Sequence, residues 1–244
     1  MKKVLITGGS EGIGLAFSEA YAKQGCELFL CARRMDHLQK AKEELQDKYS
    51  ASVHIYAMDL SEDGASEELY RQLKEEHIDI LINNAGCGYA GAAVSIDLDK
   101  EEAMLHLNMI ALTVLTKLFA SQMAERGAGI IMNVASTGAF QPGPYIASYY
   151  ASKAFVLSYT RALQEEIKRT GVQVYCLCPG PIDTDFYEKS GGRMSSYHMS
   201  AQDCVRYALR HMRSSCILIP GFLNRLLYYL PSSWKMKWLS YHKK

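Results

Sequence analysis

Tyr149 and Lys153 lie four residues apart, and with Ser136 upstream they are the residues best suited to moving a proton. A phenol with an ordinary pKa of about 10 is a weak acid at neutral pH. To release its proton there it needs a cation beside it. Positions i and i+4 of a helix share one face, so a helix through 148–169 makes Tyr149 and Lys153 neighbours. The nearby positive charge favours the phenolate. A hydroxyl from Ser136, delivered by another segment, could hydrogen-bond the same substrate oxygen that Tyr149 protonates. On its own the pair also fits a half-buried ring beside a solvated amine, so the elements around it must decide.

Those elements alternate. Short runs rich in Val, Ile and Leu at 3–7, 27–32, 53–58, 78–82, 129–134 and 172–177 predict buried strands. Longer amphipathic stretches at 12–23, 35–49, 63–76, 100–125 and 148–169 predict helices. A β-α-β-α rhythm without linker or repeat implies α/β architecture: a doubly wound parallel sheet of the Rossmann type, in a single domain over 1–244. Ligands in that architecture bind at the carboxyl ends of the strands. After Pro179 the pattern weakens, and 181–200, rich in Gly, Ser, Met and aromatics, is expected to be a mobile substrate loop or short helices.

Thr7-Gly8-Gly9-Ser10-Glu11-Gly12-Ile13-Gly14 follows the first strand and opens the first helix. In that context glycines let the backbone approach a pyrophosphate, and the helix N-terminus offers it free N–H groups. A tight turn in another doubly wound protein is the plainer alternative. At the end of the second strand, where an NAD enzyme carries an acid for the ribose 2′-hydroxyl, stands Ala32, followed by Arg33 and Arg34. Two guanidinium forks suit a 2′-phosphate, which favours NADP(H) over NAD(H).

A formal net charge of +1 with 22% charged residues gives no basic field of the kind nucleic acid attracts. Seven cysteines, Cys26, Cys31, Cys87, Cys176, Cys178, Cys204 and Cys216, are scattered through apolar stretches and read as core residues in a reducing compartment. Cys176 and Cys178 are too close for a zinc knuckle, and no metal is expected. The basic start Lys2-Lys3 leads into an apolar run that ends at Thr7, too short for a secretory signal. No stretch is expected to approach membrane-spanning length, so the expected location is cytoplasmic.

Taken together, the chain resembles the single-domain short-chain dehydrogenases/reductases over nearly its whole length. The signals are Thr7-Gly8-x-x-x-Gly12-x-Gly14, Asp59, Asn83-Asn84-Ala85-Gly86, Asn108, Ser136, Tyr149-x-x-x-Lys153 and the turn from Pro179 through Gly180, Pro181, Ile182 and Asp183 to Thr184. The resemblance implies a catalytic group of Asn108, Ser136, Tyr149 and Lys153. Asn108 would position a water that relays protons to Lys153. The implied cofactor residues are Thr7, Gly8, Ser10, Glu11, Gly12, Ile13 and Gly14 in the turn, with Arg33 and Arg34. Asp59 and Leu60 would flank the adenine, Asn83, Asn84, Ala85 and Gly86 would hold the pocket against the sheet, and Tyr149 and Lys153 would face the nicotinamide ribose. Pro179, Gly180, Ile182 and Thr184 would meet the nicotinamide.

The implied function is NADP(H)-dependent hydride transfer between nicotinamide and a carbonyl or secondary alcohol, by a homodimer or homotetramer. A noncatalytic NADP(H) sensor and a 3-oxoacyl thioester reductase remain as alternatives. An enoyl reductase fits less well, since its Tyr-Lys spacing is wider. Expected substrate-pocket residues are Tyr89, Phe140, Tyr145, Phe186 and Met194, with Gly88, Tyr187 and Met199 as further candidates; their apolar character favours a bulky ketone, steroid-like or long-chain. Tyr150 is expected to face another side of its helix. The tail over 221–244, basic and aromatic with no acid, fits either packing beside the cleft or a partner subunit, or a peripheral membrane contact; the first is preferred because Pro231 interrupts the segment.

Overall fold

The computed structural model describes residues 1–191, 198–212 and 215–230. Its centre is a seven-stranded sheet in the order β3-β2-β1-β4-β5-β6-β7, with every neighbouring pair parallel. The strands are β1 (Lys3–Thr7), β2 (Glu27–Ala32), β3 (Val53–Ala57), β4 (Ile80–Asn83), β5 (Gly129–Val134), β6 (Val172–Leu177) and β7 (Ile217–Leu218). The apolar runs are nearly continuous because both sheet faces are covered. Successive side chains point to opposite faces, so Val4 and Ile6 enter one core cluster and Leu5 enters the other.

Helices α1 (Gly12–Ala22), α2 (Met35–Tyr49) and α8 (Ala201–His211) supply the first cluster, through Phe17, Tyr21, Leu38, Leu45 and Val205. The second face carries α3 (Ala65–Leu73) and the long helical run α4 (Leu98–Leu105), a π turn (His106–Ala111) and α5 (Leu112–Glu125). Leu69, Leu73, Leu115, Phe119 and Met123 fill that side. A third cluster joins α6 (Ala147–Ile167) to Cys176 and Cys178 through Val156.

Six of the seven strands and five helices follow the sequence reading, with shifts at their ends. The long helix starts early because the Asp97 carboxylate caps it, accepting from the Lys100 N–H at 3.1 Å. It also contains the π turn, which periodicity does not reveal. The short β7 leaves no pattern in two strand residues, whereas α8, with Ala201, Cys204, Val205 and Ala208 buried along one side, carries an amphipathic pattern that the sequence reading did not use. The run Leu98–Glu125 also corrects the expectation about membrane-length segments: it is long and apolar enough to span a bilayer, and here it packs against the sheet as a core helix.

After Pro179 comes the short helix α7 (Phe186–Lys189), and 192–197 of the expected substrate loop lie outside the described residues. In the tail, α9 (Phe222–Tyr229) sets the Tyr228 ring edge-on to Phe140, with centroids 4.7 Å apart, and buries Asn224 beside Gly180. The start of the tail therefore packs next to the strand ends; 231–244 lie outside the described residues.

The chain begins in mid-sheet, builds outward to β3, then crosses to β4 on the other side of β1. Beside this switch point α1 must approach β1 closely. A Cβ on Gly14 would stand 1.9 Å from the Gly8 carbonyl oxygen and 2.6 Å from Asn84 Nδ2. Gly14→Ala is therefore expected to lower stability by about 1–3 kcal/mol or more through overpacking. Denaturant melts measure it, and an unchanged midpoint would contradict this packing account.

Candidate active site

The glycine turn is held by hydrogen bonds that run both ways between β1 and β4. Thr7 Oγ1 accepts from the N–H groups of Asn84 and Ala85, each at 3.0 Å. Asn84 Nδ2 donates back to the carbonyls of Thr7 at 3.0 Å and Gly8 at 3.2 Å. Buried Ser18 donates from α1 to the carbonyls of Gly9 and Gly14, both at 3.0 Å. Gly8 and Gly12 have φ values of 64° and 52°, in the left-handed region that only glycine enters freely. Glu11 precedes α1 without a side-chain cap, so the first-turn amides remain available to an anion.

Beyond the turn, Arg33 Nη1 lies 3.6 Å from Asp59 Oδ2, and Arg34 pairs with Glu11. Asp59 is fixed by the N–H and hydroxyl of Ser61, at 2.9 and 2.6 Å.

At the other end of the cleft, α6 presents Tyr149 and Lys153. Lys153 Nζ is 5.8 Å from the Tyr149 ring centroid and donates to the Val134 carbonyl at 2.9 Å. Ser136 follows β5, with its Oγ accepting from the Gly138 N–H at 3.0 Å. Burial drives the Lys153 ammonium down from 10.5 to about 8, and Cys87, Cys176 and Cys178 oppose that shift only in part. The loop after β4 comes close because it is glycine: a Cβ on Gly86 would lie 3.2 Å from Lys153 Nζ, and one on Gly88 2.9 Å from the Tyr149 ring. Asn108, in the π turn, accepts from the Cys87 N–H at 3.1 Å and donates to the Cys87 carbonyl at 2.9 Å and Ser152 Oγ at 3.1 Å. Its side chain thus joins the β4 loop to α6. Such turns recur at functional sites.

One cleft of about 890 Å3 runs past all three regions. It is lined by Gly8, Ser10, Glu11, Gly12, Ile13, Arg33, Arg34, Asp59, Leu60, Ala85, Gly86, Pro179, Gly180, Ile182 and Thr184 of the expected cofactor set, and by Ser136, Tyr149 and Lys153. Thr7 and Gly14 support it from behind. Asn83 is fully inside: its Nδ2 donates to Thr116 Oγ1 and Asn133 Oδ1, both at 2.9 Å. The residue of that run that clamps the turn is its neighbour Asn84. Strand alternation, with Asn83 facing the helices, was the available signal.

Of the expected substrate residues, Tyr89 and Phe186 line the cleft, as does Gly88. Phe140 does not; it packs on Tyr228. Tyr145 also lies off the cleft, at a left-handed φ of 61°, with its carbonyl accepting from Gly91 N–H. Met194 falls outside the described residues, as does the side chain of Tyr187, while Met199 bridges to Ile182. Contrary to expectation, Tyr150 lines the cleft, because its ring lies against Gly138 and Gly143, where added Cβ atoms would come within 2.9 and 2.4 Å. Lys189, also on the cleft, had no local signal in the sequence.

The cradle fits a dinucleotide: glycine where a side chain would block approach, open helix amides, and cations at the far end. A sequence model of the short chain dehydrogenase family matches residues 2–194. The chain belongs to the short-chain dehydrogenase/reductase family. Within that family it is 31% identical over 184 residues to very-long-chain 3-oxoacyl-CoA reductase of Mus musculus, covering 74% of this chain and 59% of the relative. It is 32% identical over 182 residues to human 17-beta-hydroxysteroid dehydrogenase type 3, with the same coverages, 74% and 59%. The chain thus spans about three fifths of the length of these curated relatives. Among solved dehydrogenases, one from Sphingobium yanoikuyae in complex with NADPH superposes with a TM-score of 0.87 at 30% identity, covering 96% of this chain and 91% of that one. The bulky-bulky ketone specific alcohol dehydrogenase of Comamonas testosteroni gives 0.83 at 28% identity, covering 99% and 92%.

The depressed Lys153 pKa has a measurable consequence. Between about 8 and 10.5 the unfolded chain holds the extra proton, so this group adds stability as pH rises through that window and loses it as pH falls back. Denaturant melts of wild type and Lys153→Met across that range should diverge in favour of wild type as pH increases. A pH-independent difference would contradict the buried, destabilised ammonium.

Proposed function

We propose that this chain reduces a carbonyl, or oxidises the corresponding secondary alcohol, with NADP(H). The observation that carries the reading is the position of Tyr149 and Lys153 on one face of α6, at the end of the cleft that starts at the glycine turn. The bound nicotinamide supplies or takes up the hydride. In reduction Tyr149 donates a proton to the carbonyl oxygen, and the Ser136 hydroxyl hydrogen-bonds the charge developing there. In oxidation Tyr149 takes the proton back. Lys153, held by the Val134 carbonyl, places positive charge beside the phenol. Asn108 acts from behind, keeping the β4 loop and α6 in register.

NADP(H) is preferred on this reading because Arg33 and Arg34 line the cleft where Ala32 leaves no acid. The NADPH complex of the Sphingobium yanoikuyae dehydrogenase supports the same choice. For the substrate, Tyr89, Tyr150 and Phe186 favour a bulky apolar ketone. The names of the 3-oxoacyl-CoA reductase, hydroxysteroid dehydrogenase and bulky-ketone relatives point the same way, and a 3-oxoacyl thioester is the second reading. A noncatalytic sensor has no use for Ser136, Tyr149 and Lys153 together. A reducing, cytoplasmic setting and a homo-oligomer belong to the same proposal; the seven cysteines are unpaired thiols.

Tyr149→Phe should lower turnover by a factor of about 100 or more while NADPH still binds. Ketones, steroids and acyl thioesters followed by NADPH absorbance provide the assay, and undiminished turnover would end the mechanism. Ala32→Asp combined with Arg33→Leu should move preference toward NADH. Coenzyme titrations showing no shift would remove Arg33 from the argument.

A further inference from the structure

Glu11 is the point where three distant segments meet. From the glycine turn its carboxylate pairs with Arg34 just before α2, with His37 in the first turn of that helix, and with Lys189 at the end of α7. Burial alone would raise this carboxyl, but the Lys189 hydrogen bond and the charges of Lys189, Arg34 and His37 outweigh it, so Glu11 is held below its usual range and ionised. Arg33 is tied less closely: it is 68% exposed and 3.6 Å from Asp59. Both guanidinium groups available to a 2′-phosphate thus face a carboxylate of the protein itself, and Arg34 is the one held in direct contact.

A phosphate monoester and a carboxylate want the same planar donors. Arg34 cannot give its full fork to both. We propose that Glu11 is a specificity-determining residue for the coenzyme, an internal anion that competes with the ribose 2′-phosphate for Arg34 and so limits discrimination between NADPH and NADH. Lys189 counteracts it, because every donor it gives to Glu11 loosens the hold on Arg34. The same carboxylate ties α7 across the cleft mouth, alongside the Ala90 N–H to Ser190 carbonyl bond at 2.9 Å. Coenzyme choice is thereby coupled to the segment carrying Phe186. The inference rests on the NADP(H) reading above and adds to it a residue that opposes the arginines.

The test is binding by the full chain, followed by calorimetry with NADPH, NADH, 2′,5′-ADP and ADP. Glu11→Gln should raise the ratio of the NADH to the NADPH dissociation constant about three- to tenfold, with 2′,5′-ADP gaining relative to ADP by a similar factor. In an Arg34→Gln background the same substitution should leave the ratio unchanged. Lys189→Gln should lower the ratio, and serves also if the Glu11 variant folds poorly. An unchanged or reduced ratio in folded Glu11→Gln overturns the proposal. So does a full-sized effect that persists without Arg34, since Glu11 would then act only through its general field. A wild type that binds NADH as tightly as NADPH counts instead against the NADP(H) reading. The Glu11→Gln comparison still decides in that case, because a released Arg34 should create a preference where none existed.

Discussion

Two hydrogen-bonded turns meet where the strand order reverses, between β1 and β4, and the site depends on their union. Thr7 and Asn84 exchange bonds through both side chains and backbone, so the loop after β1 and the loop after β4 cannot move independently. Parallel strands on either side of a switch point diverge into a crevice, and here half-buried polar groups brace its floor. The glycine turn gains a fixed shape from this bracing, and the β4 loop is delivered to Lys153 and Tyr149. Gly8, Gly86 and Gly88 are small because the two loops, α1 and α6 all converge there.

Behind the floor, a second set of buried polar groups ties the sheet to the helices. Asn83, Asn133, Thr116 and Thr160 form a hydrogen-bonded group spanning β4, β5, α5 and α6. Asn108 and Ser152 make a parallel link nearer the cleft. Together they hold α6 at a fixed height, which matters because Lys153 is buried with a carbonyl as its anchor. An ammonium in so dry a place is costly, and that cost depresses its pKa. The same desolvation strengthens its field on anything bound beside it.

Much of this was legible before any coordinates. The Tyr149-Lys153 pair is a local fact, since helical geometry alone sets residues four apart on one face. The strands announced themselves because a sheet covered on both faces demands uninterrupted apolar runs. The glycine turn could be placed because backbone sterics leave few other uses for glycine between a strand and a helix. What failed to show was what residue type and periodicity do not encode: the π turn at Asn108, the ring of Tyr150 set against Gly138 and Gly143, and Phe140 taken up by Tyr228 from far along the chain.

The sequence by itself determined six of the seven strands and the five main helices, their order, the family and the residues able to do chemistry, because these follow from periodicity and residue type. Only the tertiary structure decided which of those groups touch. Glu11 and Lys189 are 178 positions apart, and nothing in either neighbourhood points to the other. Their contact exists because the β6 connection returns over the mouth of the cleft that the first turn opens. Burial is likewise a property of the packed whole: Lys153 is an ordinary lysine in the chain and a depressed ammonium only once β5, β6 and the β4 loop close around it.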